Sequence, residues 1–151
     1  MMIKSIDSQD SANVSHYLGL DFGVAKIGLA IADEETQMAF AFDTLKNDSN
    51  FMRNLAEILE RKNVKTIVMG LAWHEKDEES FDRKMAFGKK IEKELKIAVM
   101  FQDEMFTTKM AHQNIKLRGG KNIAEHDDSE AARIILQSWI DNRSKISSHE
   151  S

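Results

Sequence analysis

Three acidic motifs stand out along the chain. Asp21 lies in the apolar run Tyr17–Gly23, hemmed in by Leu18, Leu20 and Phe22; Asp103-Glu104 comes just past the apolar run Ile97–Phe101; Asp127-Asp128-Ser129-Glu130 precedes a helical pattern. An ionised carboxylate beside apolar surface is costly unless a cation or a hydrogen-bond donor meets it. Each motif also has a purely structural reading. Asp21 can be a turn aspartate before Gly23, and Asp103 and Glu104 can be acids favoured by the dipole of a helix capped by Thr107 or Thr108. Asp127 and Glu130 can form a capping box, which leaves Asp128 in the first turn with no structural task. Gathered at one place, three carboxylates repel one another, and such a cluster persists when divalent cations neutralise it. Phosphodiester hydrolysis uses that arrangement: oxygen ligands hold two hard cations about 3.5 to 4 Å apart, one activating water and the other stabilising the leaving oxygen. Mg2+ or Mn2+ suits such ligands.

Other chemistries lack their residues. With no cysteine there is no thiolate nucleophile, no Cys-built zinc site and no disulfide framework, which is compatible with a reducing cytosol. No Gly-x-Ser-x-Gly, Gly-x-Gly-x-x-Gly or His-Glu-x-x-His occurs, and Gly23 and Gly28 have P-loop spacing but are followed by Leu29-Ala30 instead of Lys-Ser/Thr. The five histidines show no ligand spacing; His126 reads as a polar residue ahead of the last helix, or as an acid or base beside Asp127 and Asp128. Trp73 and Phe106 could stack on bases, as could Trp139, which falls in helical register with Ala132 and Ile135 and reads as core.

The elements that must position the acids follow from hydrophobic period. Tyr17–Gly23, Lys26–Ala32 and Met38–Leu45 read as three strands joined by connections short enough for an antiparallel meander. Phe51, Leu55, Ile58 and Leu59 then recur at helical spacing after the cap candidates Asp48, Ser49 and Asn50, giving a helix that ends near Lys62-Asn63. Thr66–Leu71 is a continuous apolar run, as in a strand covered on both faces. Glu79–Leu95 reads as a helix, Ile97–Phe101 as a fifth strand, Thr107–Leu117 as a helix stopped by Gly119-Gly120, and Ser129–Asn142 as a last helix. The order βββαβαβαα describes an α/β protein with a mixed five-stranded sheet and helices packed on it. In such sheets the site lies beyond the carboxyl ends of the parallel strands, which is where Asp21, Gly70 and Asp103-Glu104 fall.

The chain has 151 residues, 42% hydrophobic and 30% charged, which suits one domain over 17–143 with loosely ordered ends at 1–16 and 144–151. The polar start has no apolar signal core and no apolar run is long enough to span a bilayer, so a cytoplasmic protein is expected. The net charge of −4 is a poor global match to a polyanion, yet residues 105–124 contain no acid and carry Lys109, Lys116, Arg118 and Lys121, with His112 as a further possible cation. That stretch is either a solvated face or a phosphate-contacting surface. Proline is absent, and nothing physical in the sequence accounts for it.

Taken together, Leu18-Gly-Leu-Asp-Phe-Gly23 with Lys26-Ile-Gly28, Val68-Met-Gly-Leu71, Asp103-Glu104 with Thr107-Thr108, and Asp128 followed by Ala131-Ala132 and Ile135-Leu-Gln137 resemble the YqgF/RuvX family, Holliday-junction-resolvase-like nucleases of RNase H-like fold. The motifs run in the family's order from about Tyr17 to Asp141. The resemblance implies that Asp21, Glu104 and Asp128 are catalytic and hold Mg2+ or Mn2+. It implies that Lys26, Thr107, Thr108, Lys109, Lys116, Arg118 and Lys121 face nucleic acid. The substrate it implies is the 5′ end of 16S ribosomal RNA precursor, with Holliday-junction resolution on branched DNA as an alternative. A monomer or weak homodimer without a membrane partner is expected. Two further readings differ in class. Glu75, Asp77, Glu78 and Glu79 would repel a phosphate backbone that they faced, which favours a non-catalytic RNA or ribosome-precursor binding factor. Asp21-Phe-Gly-Val also resembles the first phosphate loop of actin-like ATPases, although those enzymes close two such domains around ATP.

Overall fold

A computed structural model of the chain describes residues 14–72, 78–103 and 123–150, with side chains of the last stretch described over 128–143. The strands are β1 (His16–Asp21), β2 (Lys26–Asp33), β3 (Ala39–Lys46), β4 (Val64–Leu71) and β5 (Ala98–Asp103); the helices are α1 (Phe51–Arg61), α2 (Glu78–Leu95) and α3 (Ile123–Glu150). The strands form a mixed sheet of order β3-β2-β1-β4-β5, with β1 antiparallel to β2 and parallel to β4, and β4 parallel to β5. The sheet is the mixed five-stranded one expected from the sequence, and β1 is its central strand. The helix expected over Thr107–Leu117 lies outside the described residues, as do Trp73 and Phe106.

Period-2 alternation sorts the sheet residues into two cores. On one face Leu18, Leu20, Ile27, Leu29, Ile67, Met69 and Val99 pack against Phe51, Leu55 and Ile58 of α1 and Ile91 of α2. The 51/55/58 spacing puts those α1 side chains on one stripe, and burying them supplies most of what holds so short a helix. On the other face the strands present Tyr17, Ala30, Ala32, Ala39 and Val68 to Ala132, Ile135, Leu136 and Ile140 of α3. Trp139 packs edge-on against Tyr17 at 5.2 Å between ring centroids, a core role as its register suggested.

The described residues correct two local expectations. Helix α3 begins at Ile123, so Asp127 lies within the helix instead of capping it, His126 does not precede it, and Asp128 is past the first turn. A four-residue capping pattern is a local signal, and it cannot register that the chain upstream is already helical. The helix expected over Glu79–Leu95 starts one residue earlier, so that Glu78 and Glu79 form the first turn of α2, where the helix dipole favours them.

Candidate nuclease site

The small residues on the α3 side of the sheet decide where α3 lies on it. Asp128, Ala132 and Leu136 are one helical turn apart. A Cβ on Gly19 would lie 2.8 Å from both the Ala132 carbonyl oxygen and the Leu136 Cβ, and one on Gly28 would lie 2.7 Å from the Ser129 amide nitrogen, with the Asp128 carbonyl closer still. Farther along α3, Arg143 donates to the Tyr17 hydroxyl at 3.1 Å. The helix therefore crosses the sheet from the Asp21 end of β1, where it begins, to the Tyr17 end.

Asp21 is the last residue of β1 and is half-buried. It shares the α3 face with Tyr17 and Gly19, because side chains two apart in a strand point the same way. Its register partner in β2 is Gly28, the residue on which the Asp128 backbone sits. Residues 107 apart in sequence are thus brought to adjoining positions, and Asp128 is half-buried like Asp21. The hairpin between Asp21 and Lys26 is shaped from beneath. Phe22 packs on Phe87 with ring centroids 4.7 Å apart, and the Asn47 side-chain amide donates to the Gly23 carbonyl at 2.9 Å. Lys26, exposed as the first residue of β2, stands at the same end of the sheet.

The third acidic motif divides. Asp103 is the final residue of β5, not a residue past it, and pairs in register with Leu71. It shares a face with Val99 and Phe101, whose side belongs to the α1 and α2 core, so alternation directs it away from the face that Asp21 occupies. Glu104 lies outside the described residues, as do Thr107, Thr108, Lys109, Lys116, Arg118 and Lys121. Among the described residues no group of three His, Cys, Asp or Glu is placed to hold a metal ion; the described members of the expected site are Asp21, Asp128 and Lys26.

One further pair sits next to Asp128. Glu130 is buried, and Arg133 donates to its Oε1 from Nε at 2.9 Å and from Nη2 at 2.6 Å. Reading the residues singly missed Gly19 and Gly28 as a seat for α3. The signal was present: Gly19 in β1 and Gly28, Ala30 and Ala32 in β2 are all small and fall on one face of neighbouring strands.

The RuvX family model, described as Holliday junction resolvase, matches residues 15–142. A candidate pre-16S rRNA nuclease of Sulfurihydrogenibium sp. (strain YO3AOP1) is 30% identical over 134 residues, covering 85% of this chain and 91% of that protein. One from Colwellia psychrerythraea (strain 34H / ATCC BAA-681) is 34% identical over 131 residues, covering 82% and 88%. In fold the chain is similar to T. thermophilus RuvC in complex with Holliday junction substrate, with a TM-score of 0.56 at 16% identity over 85% of this chain and 95% of that one. No described helix is long and apolar enough to cross a membrane. A family match over nearly the whole described fold, together with two acids of its motifs brought to one sheet end, places the chain in the RuvX family of Holliday junction resolvases, as a nuclease.

Proposed function

We propose that the chain hydrolyses phosphodiester bonds at the 5′ end of 16S ribosomal RNA precursor, with Asp21, Glu104 and Asp128 holding divalent cations, Mg2+ or Mn2+. The observation that carries this reading is the Asp128 backbone seated on Gly28, the register partner of Asp21. Half-buried carboxylates from two elements are hard oxygen donors of the kind these cations take, and they repel each other unless a cation lies between them. Bound there, the cations would activate water and stabilise the leaving oxygen. Lys26 stands where it can meet a phosphate, and Lys109, Lys116, Arg118 and Lys121 supply the acid-free basic stretch for the backbone beyond, with Thr107 and Thr108 supporting the site. The names of the curated relatives support the ribosomal RNA substrate.

Cleavage of a 5′-extended 16S precursor RNA and of a four-way DNA junction, each with Mn2+, tests it. Asp21→Asn should abolish cutting, and equal activity in the variant would end the assignment. Faster cutting of the junction than of the RNA would move the substrate to branched DNA. A binding factor without catalysis is favoured by one observation: Glu78 and Glu79 are exposed at the start of the helix that follows β4, the strand whose carboxyl end lies beside that of β1. RNA retained on a filter, with calorimetry showing no Mn2+ uptake, would establish that reading instead. We further infer a cytoplasmic monomer or weak homodimer, which equilibrium sedimentation would check.

A further inference from the structure

We propose that Gly28 is a positioning residue of this nuclease: by offering no side chain it lets the Asp128 backbone settle onto β2, and so sets the separation of the Asp21 and Asp128 carboxylates on which cation affinity depends. The inference rests on the proposed role of those two acids. Gly28 pairs with Asp21 on one side and Thr44 on the other, and its φ lies outside the left-handed region, so glycine is there for room and not for a special turn. A Cβ at this position would meet backbone on the α3 side, the Ser129 nitrogen at 2.7 Å and the nearer Asp128 carbonyl, and backbone cannot rotate out of the way as a side chain can. Ordinary contact lies at about 3.5 to 4.0 Å, so this part of α3 would have to lift by at least about 1 Å.

The remainder of α3 cannot follow freely. Gln137 Oε1 accepts from the Ala39 amide at 2.8 Å, Trp139 packs on Tyr17, and Arg143 holds the Tyr17 hydroxyl. The displacement is therefore concentrated at the end that carries Asp128. A misplacement of about 1 Å costs on the order of 100-fold in rate.

The test is Gly28→Ala, followed by Mn2+ calorimetry and by steady-state cleavage of whichever nucleic acid the wild-type chain cuts. The expected result is a folded protein whose kcat falls about 100-fold with KM little changed, and whose Mn2+ affinity falls about ten-fold or more. Leu136→Ala loosens the same helix without pushing at Asp128, and should lose stability while keeping Mn2+ affinity. Lengthening the acid, Asp128→Glu, should weaken Mn2+ binding in the wild-type background yet restore part of it in Gly28→Ala. Should Gly28→Ala fail to fold, Gly19→Ala carries the same comparison, because it lifts α3 one turn farther along at Ala132. Mn2+ affinity unchanged in Gly28→Ala, or reduced no more than in Leu136→Ala, would overturn the inference. The two readings fail separately: an active, metal-binding Asp21→Asn removes the proposed site itself, whereas an inert Asp21→Asn beside an unaffected Gly28→Ala removes only the positioning role.

Discussion

Replacing Arg133 by methionine removes the fork of donors that meets a buried carboxylate. The Glu130 side chain is only 7% exposed and that of Arg133 is 29% exposed, and both donated bonds go to one oxygen, Oε1. A fully buried pair that loses one partner costs about 3 to 5 kcal/mol when the charge left behind has no other partner. An exposed pair costs about 0 to 1 kcal/mol. Glu130 keeps a further contact and the partly open Arg133 admits some water, which puts this pair between the two cases, so about 2 kcal/mol is expected. At about 2 to 4 °C per kcal/mol for a chain of this size, Tm should fall by about 4 to 8 °C. Methionine keeps the apolar stem of arginine, so the loss reports the charge and not a cavity. Adding Glu130→Gln to Arg133→Met should recover most of the loss, since a neutral amide needs no counter-ion. Calorimetric melting of the two single variants and the double variant gives the coupling directly. An Arg133→Met variant melting within about 2 °C of wild type, or a double variant no better than the single, would refute the account.

Other perturbations probe the two cores and the hairpin ends. Leu55→Ala, at a fully buried position between α1 and the sheet, should lose about 2 to 5 kcal/mol by denaturant titration. Gln137→Leu strands the amide of buried Ala39, and should cost about 1 to 3 kcal/mol with faster hydrogen exchange at that amide. Gly88→Ala in α2 meets the Phe101 ring, a side chain that can turn aside, on the face away from Asp21; it should lower Tm while leaving Mn2+ affinity intact. The Thr36 amide donates to Asp33 Oδ1 at 2.6 Å and holds that carboxyl below its ordinary value of 3.8. A depressed carboxyl adds stability above its unfolded value and gives it up as pH falls through the folded one. Asp33→Asn should therefore cost under about 1 kcal/mol at pH 7, a difference that shrinks as the pH drops below 3.8, measured by melting across pH.

Local pattern carried most of the architecture. Leu18 and Leu20 alternate with Tyr17 and Gly19 because the strand is covered on both faces, and Phe51, Leu55 and Ile58 repeat at helical spacing because one stripe must be buried. Those periods are properties of neighbours in the chain, so they can be read without knowing what packs above. The same is true of the acids as residue types: Asp21 at a strand end and Asp128 in a helical run are visible from the sequence. The start of α3 was not visible, since Asp127 to Glu130 satisfies a cap pattern whether or not a helix already runs through it.

What folding alone settled is which groups meet. Asp21 and Asp128 adjoin because α3 crosses the sheet from Gly28 to Tyr17, a path set by bare backbone at two glycines and by Trp139 and Arg143 at the far end. No periodicity in one segment encodes the line along which it lies on another. That line is chosen by the fit of one surface against the other, and here two missing side chains on β1 and β2 leave the room that brings the Asp128 backbone beside the end of β1.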